Sequence, residues 1–251
     1  ALPIYAISGR QLRLGAMVAS GASVAWLQQN ILKGEQSVEQ LSKEAQDVAP
    51  GSEGLIFLPY MMGERSPIWH TNARGVFFGL SLTTTPAMMF RAVLEGTAFA
   101  LAHNVEIGKA AGIKIDEIRS IGGGSKSGLW NQIKADVLGM PIAVLEDSVG
   151  AAVGDAYLAG MGAGMFKDIR QTLKTNVKIE SRFTPDQKVH TYYQERYGWA
   201  SGNDAKRPKS AAAAAAAAAN ARAELEGVDA LRARVARALE RSEEHTSELQ
   251  S

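Results

Sequence analysis

The chain has 251 residues, with 27 Lys and Arg against 26 Asp and Glu, and no Cys. A formal net charge of +1 gives no basic field over the chain and argues against nucleic acid as its main partner, while the lack of Cys excludes disulfide frameworks, thiolate zinc sites and thiol nucleophiles. At 46% hydrophobic the composition is that of a globular protein with a core; no apolar run approaches the roughly 18 residues of a membrane span, so no membrane is expected as partner, and residues 1–10 carry no signal-peptide pattern.

Taken in chain order, Met17, Val24, Leu27 and Ile31 fit one buried helical face within residues 16–32. Ser37 with Gln40 reads as a capping box opening a helix to about Val48. Residues 55–58 form a short apolar run before Pro59, hence a buried strand. Residues 60–74 read as a loop, and residues 75–80, with Val76, Phe77 and Phe78, as another strand. Thr85 and Pro86 open a long helix to about Ala111, stopped by Gly112. A strand at 117–121, a glycine turn at 122–124, a helix at 128–138 ended by Gly139 and Pro141, and a strand at 142–145 follow. Residues 150–164 read as a Gly- and Ala-rich helix, and Thr184 with Pro185 as the start of a last helix to about Tyr197. Strand, helix, strand, helix after Arg119 predicts an α/β fold with at least one parallel strand pair.

Near residue 200 the composition shifts. Residues 201–210 are linker-like. Residues 211–219 are consecutive alanines, and Leu225, Val228, Leu231, Val235 and Leu239 follow helical spacing. Residues 241–251, RSEEHTSELQS, resemble an in-frame translation of a sequencing adapter. The expected organisation is therefore a domain at 1–200, truncated at its N-terminus, an Ala-rich linker or helix at 201–240 that can be chimeric, and an adapter-derived end at 241–251.

The strongest chemical signal is Ser120-Ile121-Gly122-Gly123-Gly124-Ser125-Lys126-Ser127 between a strand and a helix. Glycines let a ligand approach the backbone, and the following helix N-terminus favours an anion. A nucleotide fits; so does a plain tight turn. A P-loop is excluded because Ser125 precedes Lys126, and a dinucleotide fingerprint because Ser127 stands where its third glycine belongs. In the loop Gly63-Glu64-Arg65-Ser66-Pro67 and Asn72-Ala73-Arg74-Gly75, Arg65 and Arg74 can hold phosphates. Equally, they can pair with Glu64 and Glu95 while Gly63 and Gly75 turn the chain. His70, His103, His190 and His245 show no metal-ligand spacing, so no metal site is expected. Met61, Met62, Met88 and Met89 read as core filler. Asp136 either faces the nucleotide site or pairs locally.

Together these segments resemble the C-terminal domain of the FGGY family of carbohydrate kinases, with wording most similar to the xylulokinases. The carrying residues are Phe57-Leu58-Pro59-Tyr60, Gly63 to Pro67, Ala73 to Leu80, Arg91-Ala92-Val93-Leu94-Glu95-Gly96 and the block from Gly122 to Asp136. The resemblance spans residues 1–199; Met88 departs from the family's second signature, which has a polar residue there.

The resemblance implies an actin-like, ribonuclease H-like fold with a cleft between two domains, of which this one supplies the adenine side of the ATP site. It implies Gly122, Gly123 and Gly124 along adenosine and phosphates, Ser127 near the base and Gly63 near the phosphates. It also implies ATP and Mg2+ as cofactors, a sugar substrate and a cytoplasmic location. The aspartate that accepts the hydroxyl proton and the first phosphate loop lie upstream in the family. No catalytic residue is therefore expected here: Asp116, Asp136, Asp147 and Asp155 match none, the missing N-terminal domain becomes a partner, and the fragment alone is expected to be inactive. Other readings are a non-catalytic nucleotide-binding partner protein of the same superfold, a dinucleotide oxidoreductase and a helical interaction tail at 211–240. The sugar (xylulose leading, with gluconate, ribulose, glycerol and fuculose) and the oligomeric state, a homodimer included, stay open.

Overall fold

A computed structural model of the chain describes residues 14–146, 151–166 and 168–201. The chain divides into two units, Ala1–Ser201 and Gly202–Ser251. The expectations for residues 1–10, Asp147, Gly150, His245 and everything from 202 onward lie outside the described residues.

The first unit begins with α1 (Gly21–Trp26), which continues as a π-helical turn over Leu27–Ile31. Val24 and Leu27 are buried, but Met17 precedes the helix and Ile31 is 44% exposed, so the expected apolar face is cut short at both ends. Helix α2 (Val38–Gln46) starts on the expected capping box: Ser37 Oγ accepts from Gln40 N–H, and the Gln40 side chain accepts from Ser37 N–H. Strands β1 (Ile56–Leu58) and β2 (Val76–Phe78) pair antiparallel, with Phe57 opposite Phe77. Their rings lie 4.7 Å apart, and Trp26 stacks against both.

The long helix α3 (Pro86–Ala110) is the axis of the core. Thr85 Oγ caps it by accepting from Met88 N–H, Pro86 takes the first turn, and Gly112 leaves at a φ of +78°. Every residue from Phe90 to Ala100 is buried, as expected of a helix surrounded on all sides. Gly96 is where β1 crosses it, and a Cβ there would overlap the Phe57 carbonyl oxygen.

Strands β3 (Ile118–Ser120) and β4 (Ile142–Leu145) form the expected parallel pair, joined by α4 (Gly128–Leu138). Helices α5 (Ala151–Gly162) and α6 (Ile169–Asn176) follow, then β5 (Ile179–Phe183), antiparallel to β4, and α7 (Gln187–Ser201). The sheet order is β3-β4-β5. Helix α7 starts two residues later than Thr184-Pro185 predicts because the Asp186 carboxylate caps it, accepting from Lys188 and Val189 N–H. Met61, Met88 and Met89 pack on the core as expected; Met62 does not and is 73% exposed, because it sits at a turn in the β1–β2 connection. Among the described residues no helix is long and apolar enough to cross a membrane.

Candidate nucleotide site

The segment between β3 and α4 is built by its own backbone. Gly122 adopts φ +78° and ψ −166°, a region essentially closed to other residues. A 3₁₀ turn over Gly123–Lys126 follows. It is closed by Ser125, whose N–H and Oγ both donate to the Gly122 carbonyl, at 3.1 and 2.7 Å. Ser127 then caps α4, its Oγ accepting from Trp130 N–H at 3.2 Å.

A Cβ added at Gly122 or Gly123 would meet nothing within 4 Å, whereas one at Gly124 would approach the Trp130 ring to 3.0 Å. The first two glycines therefore present bare backbone to open space, and the third rests on α4. Beside them lies an open cleft of about 400 Å³. Ser125, Lys126 and Gly128 form one wall, and Val144, Glu146, Glu180 and Phe183 lie on the other, with Gly122–Gly124 adjoining the cleft rather than lining it. The cleft sits beyond the carboxyl end of β4, next to the crossover helix, where α/β sheets bind ligands. The open backbone at Gly122 and Gly123 and the helix N-terminus suit a phosphate and the Phe183 ring suits a base, while Glu146 and Glu180 oppose phosphate at the far wall.

Gly122, Gly123, Gly124 and Ser127 are thus brought together in one turn. Gly63 is not part of it. It lies in the β1–β2 connection, at φ +77°, with its N–H on the Ala73 carbonyl, and a Cβ there would stand 2.6 Å from the Thr71 carbonyl oxygen. The fold of that loop alone accounts for this glycine.

Neither arginine of the loop pairs with the acids available to it. Arg74 is exposed and donates to the Thr71 and Ala73 carbonyls. Glu64 is buried and accepts from Val18 and Arg65 backbone N–H. Glu95 is claimed within the core: Arg91 Nε of α3 donates to it at 2.9 Å, and Tyr193 O–H of α7 at 2.7 Å. Asp136 is resolved in favour of local pairing. Its Oδ1 accepts from Asp186 N–H and the Gln132 amide, both at 2.8 Å, tying α4 to the start of α7. Burial raises its carboxyl above the ordinary aspartate value, and these hydrogen bonds oppose the rise. His190 Nδ1 lies 2.7 Å from the Asp136 carbonyl. Among the described residues no three His, Asp or Glu side chains gather to hold a metal ion.

Sequence reasoning missed the side chains behind the turn. Asn131 Nδ2 donates to the Ser125 carbonyl at 2.7 Å. Lys134 Nζ donates to Asn131 Oδ1 and Ser120 Oγ, both at 3.2 Å, and burial pulls its ammonium down to about 8. Their signal was helical spacing from the capping serine, with 127, 131 and 134 on one face of α4.

Residues 9–163 match the FGGY family of carbohydrate kinases, C-terminal domain. The xylulose kinase of Staphylococcus epidermidis (strain RP62A) is 36% identical over 184 residues, covering 73% of this chain and 37% of the relative. The glycerol kinase of Geobacter sp. (strain M21) is 32% identical over 188 residues, covering 74% of this chain and 37% of the relative. The crystal structure of a ligand-bound xylulose kinase from Lactobacillus acidophilus superposes with a TM-score of 0.66 at 29% identity, over 73% of this chain and 37% of that one. The chain therefore spans about 37% of the length of these relatives. The α/β domain has the actin-like ATPase fold of these sugar kinases.

Proposed function

The chain belongs to the FGGY family of carbohydrate kinases, and from that premise we propose that it is the nucleotide-side domain of an ATP-dependent kinase that phosphorylates a sugar hydroxyl, D-xylulose leading. The observation that carries this reading is the glycine turn, whose Gly122 and Gly123 expose bare backbone beside a cleft and ahead of a capped helix. The xylulose kinase relatives favour xylulose; the glycerol kinase relative keeps a polyol in the assay panel.

In this reading Gly122 and Gly123 receive the adenosine and phosphates, with Gly124 packed below on Trp130. Ser127, whose Oγ already accepts from the helix, uses its hydroxyl proton toward the base. Gly63 near the phosphates acts by shaping its loop rather than by contact. Mg2+ bound together with the nucleotide phosphates would offset charge developing on the transferred group. This chain's residues bind and orient the donor, and positioning is much of what phosphoryl transfer requires. The base that takes the hydroxyl proton belongs to an N-terminal domain upstream. The domain proper is then residues 1–200, with 201–240 a linker and 241–251 adapter-derived. The host protein acts in the cytoplasm, on a small sugar rather than on nucleic acid or membrane.

The test is ATP consumption with D-xylulose, D-ribulose, D-gluconate and glycerol, by the chain alone and by the chain fused to an FGGY N-terminal domain. The reading expects none from the chain alone and sugar-dependent turnover from the fusion. Sugar-dependent turnover by the chain alone sinks the assignment of the base to an upstream domain.

A further inference from the structure

Lys134 is a half-buried cation that the phosphoryl chemistry leaves unused, and no carboxylate pairs with it among the described residues. It lies one turn beyond Trp130 on α4, with Nζ 4.7 Å from the centre of that ring. Removing an ammonium from water without a counter-charge is unfavourable. An apolar side chain at 134 would cover the same ring without that penalty, so what lysine adds is its cation–π contact with Trp130 and its hydrogen bonds.

Those bonds reach both ends of the glycine turn. Nζ donates to Oγ of Ser120, the last residue of β3, and to Oδ1 of Asn131. Asn131 is 1% exposed, and its Nδ2 carries the link to the Ser125 carbonyl. Ser125 in turn fixes Gly122 through two hydrogen bonds to one carbonyl. Ser120 enters the turn and Ser125 closes it, so a single ammonium clips entry to exit without lining the cleft itself. Three successive glycines have the largest backbone freedom to lose, and a turn of that composition needs an external clip to keep one shape.

We propose that Lys134 is a positioning residue for the nucleotide: by joining Ser120 to Asn131 and Ser125 it holds the Gly122–Gly124 turn in the conformation that meets the phosphates. A ligand then meets a pre-ordered turn, and the ordering is not charged against binding. The inference rests on the nucleotide reading of that turn.

The experiment is hydrogen exchange by mass spectrometry on the 251-residue chain, paired with calorimetric titration of ADP, for wild type, Lys134→Met and Ser120→Ala. Methionine keeps the cover over Trp130 and removes the ammonium; Ser120→Ala removes one arm of the clip with a minimal change of volume. Lys134→Met is expected to exchange at least about tenfold faster at residues 122–126 only and to bind ADP about tenfold more weakly, without a lower midpoint of thermal unfolding. Ser120→Ala is expected to move both readouts the same way and less far. Unchanged exchange at 122–126 overturns the proposal, as does a rise in exchange spread evenly over the domain. Faster exchange with unaltered ADP affinity overturns it too. If wild type shows no ADP binding, the nucleotide reading itself falls and takes the proposal with it, a result separate from any effect of the variants.

Discussion

Glu95 shows how a charge is held inside this domain. Its Oε1 accepts from Gly51 N–H, Arg91 Nε and Tyr193 O–H, and its Oε2 from Ser52 Oγ. Arg91 completes the set with bonds to the Ala45 carbonyl and the Tyr193 oxygen. The network ties α2, α3 and α7 together. Removing one member of a buried, fully bonded pair strands the other. Glu95→Ala is therefore expected to lower stability by about 3–5 kcal/mol in urea unfolding, and a loss below about 1 kcal/mol would show that the pair is dispensable. Lys134 is the opposite case, a cation that no carboxylate pairs with among the described residues. Its native value of about 8 lies below the 10.5 of the unfolded chain, so between these two values the unfolded state binds more protons and stability rises with pH. The difference corresponds to at most about 3 kcal/mol. Urea midpoints at pH 7.5 and pH 10 should show a gain in wild type that Lys134→Met lacks; equal gains would mean that Lys134 titrates alike in both states.

At the scale of elements, helix α3 is held to β1 by close approach. Alanine is the better helix former by about 1 kcal/mol, yet a Cβ at Gly96 would overlap the Phe57 carbonyl oxygen. Backbone cannot step aside as a side chain can, so overpacking wins and Gly96→Ala is expected to destabilise by about 2 kcal/mol net; a thermal midpoint at or above that of wild type would contradict this packing. Helix α4 depends on its cap, and Ser127→Ala should cost about 1 kcal/mol in the same measurement. The elements legible in the sequence are those with local punctuation: α2 with its capping box, α3 with Thr85-Pro86, and α4 between Ser127 and Gly139. Strand β5 was not legible. It is a charged edge strand, with Glu180 and Arg182 exposed, and only its pairing with β4 makes it a strand. Arg182 opposes Ala143 in the sheet and reaches across it to Glu117, an ion pair no local pattern announces. Helix α6 is short and polar, and reads as loop for the same reason. In the site, the glycine turn was legible as a motif, but Asn131 and Lys134 were not, because their role lies in bonds to residues across a turn rather than in their own chemistry.

At the scale of the whole molecule, the family match and the fold agree on one side of a sugar kinase, and the relatives are nearly three times as long as the matched stretch. That division fits the chemistry of the site. The described domain offers bare backbone and a helix N-terminus for a phosphate donor, and no metal-gathering cluster among its described residues. The proposed function gives this domain the phosphate donor. The most direct test is calorimetric titration of ATP, ADP and NAD onto the wild-type chain and onto Gly123→Val, which places a branched side chain in the open space over the turn without requiring a left-handed backbone. The account predicts saturable, one-to-one binding of ATP and ADP by wild type, no binding of NAD, and loss of the nucleotide by the variant at unchanged thermal stability. Equal affinity of wild type and Gly123→Val for ADP, or binding of NAD in its place, would contradict it.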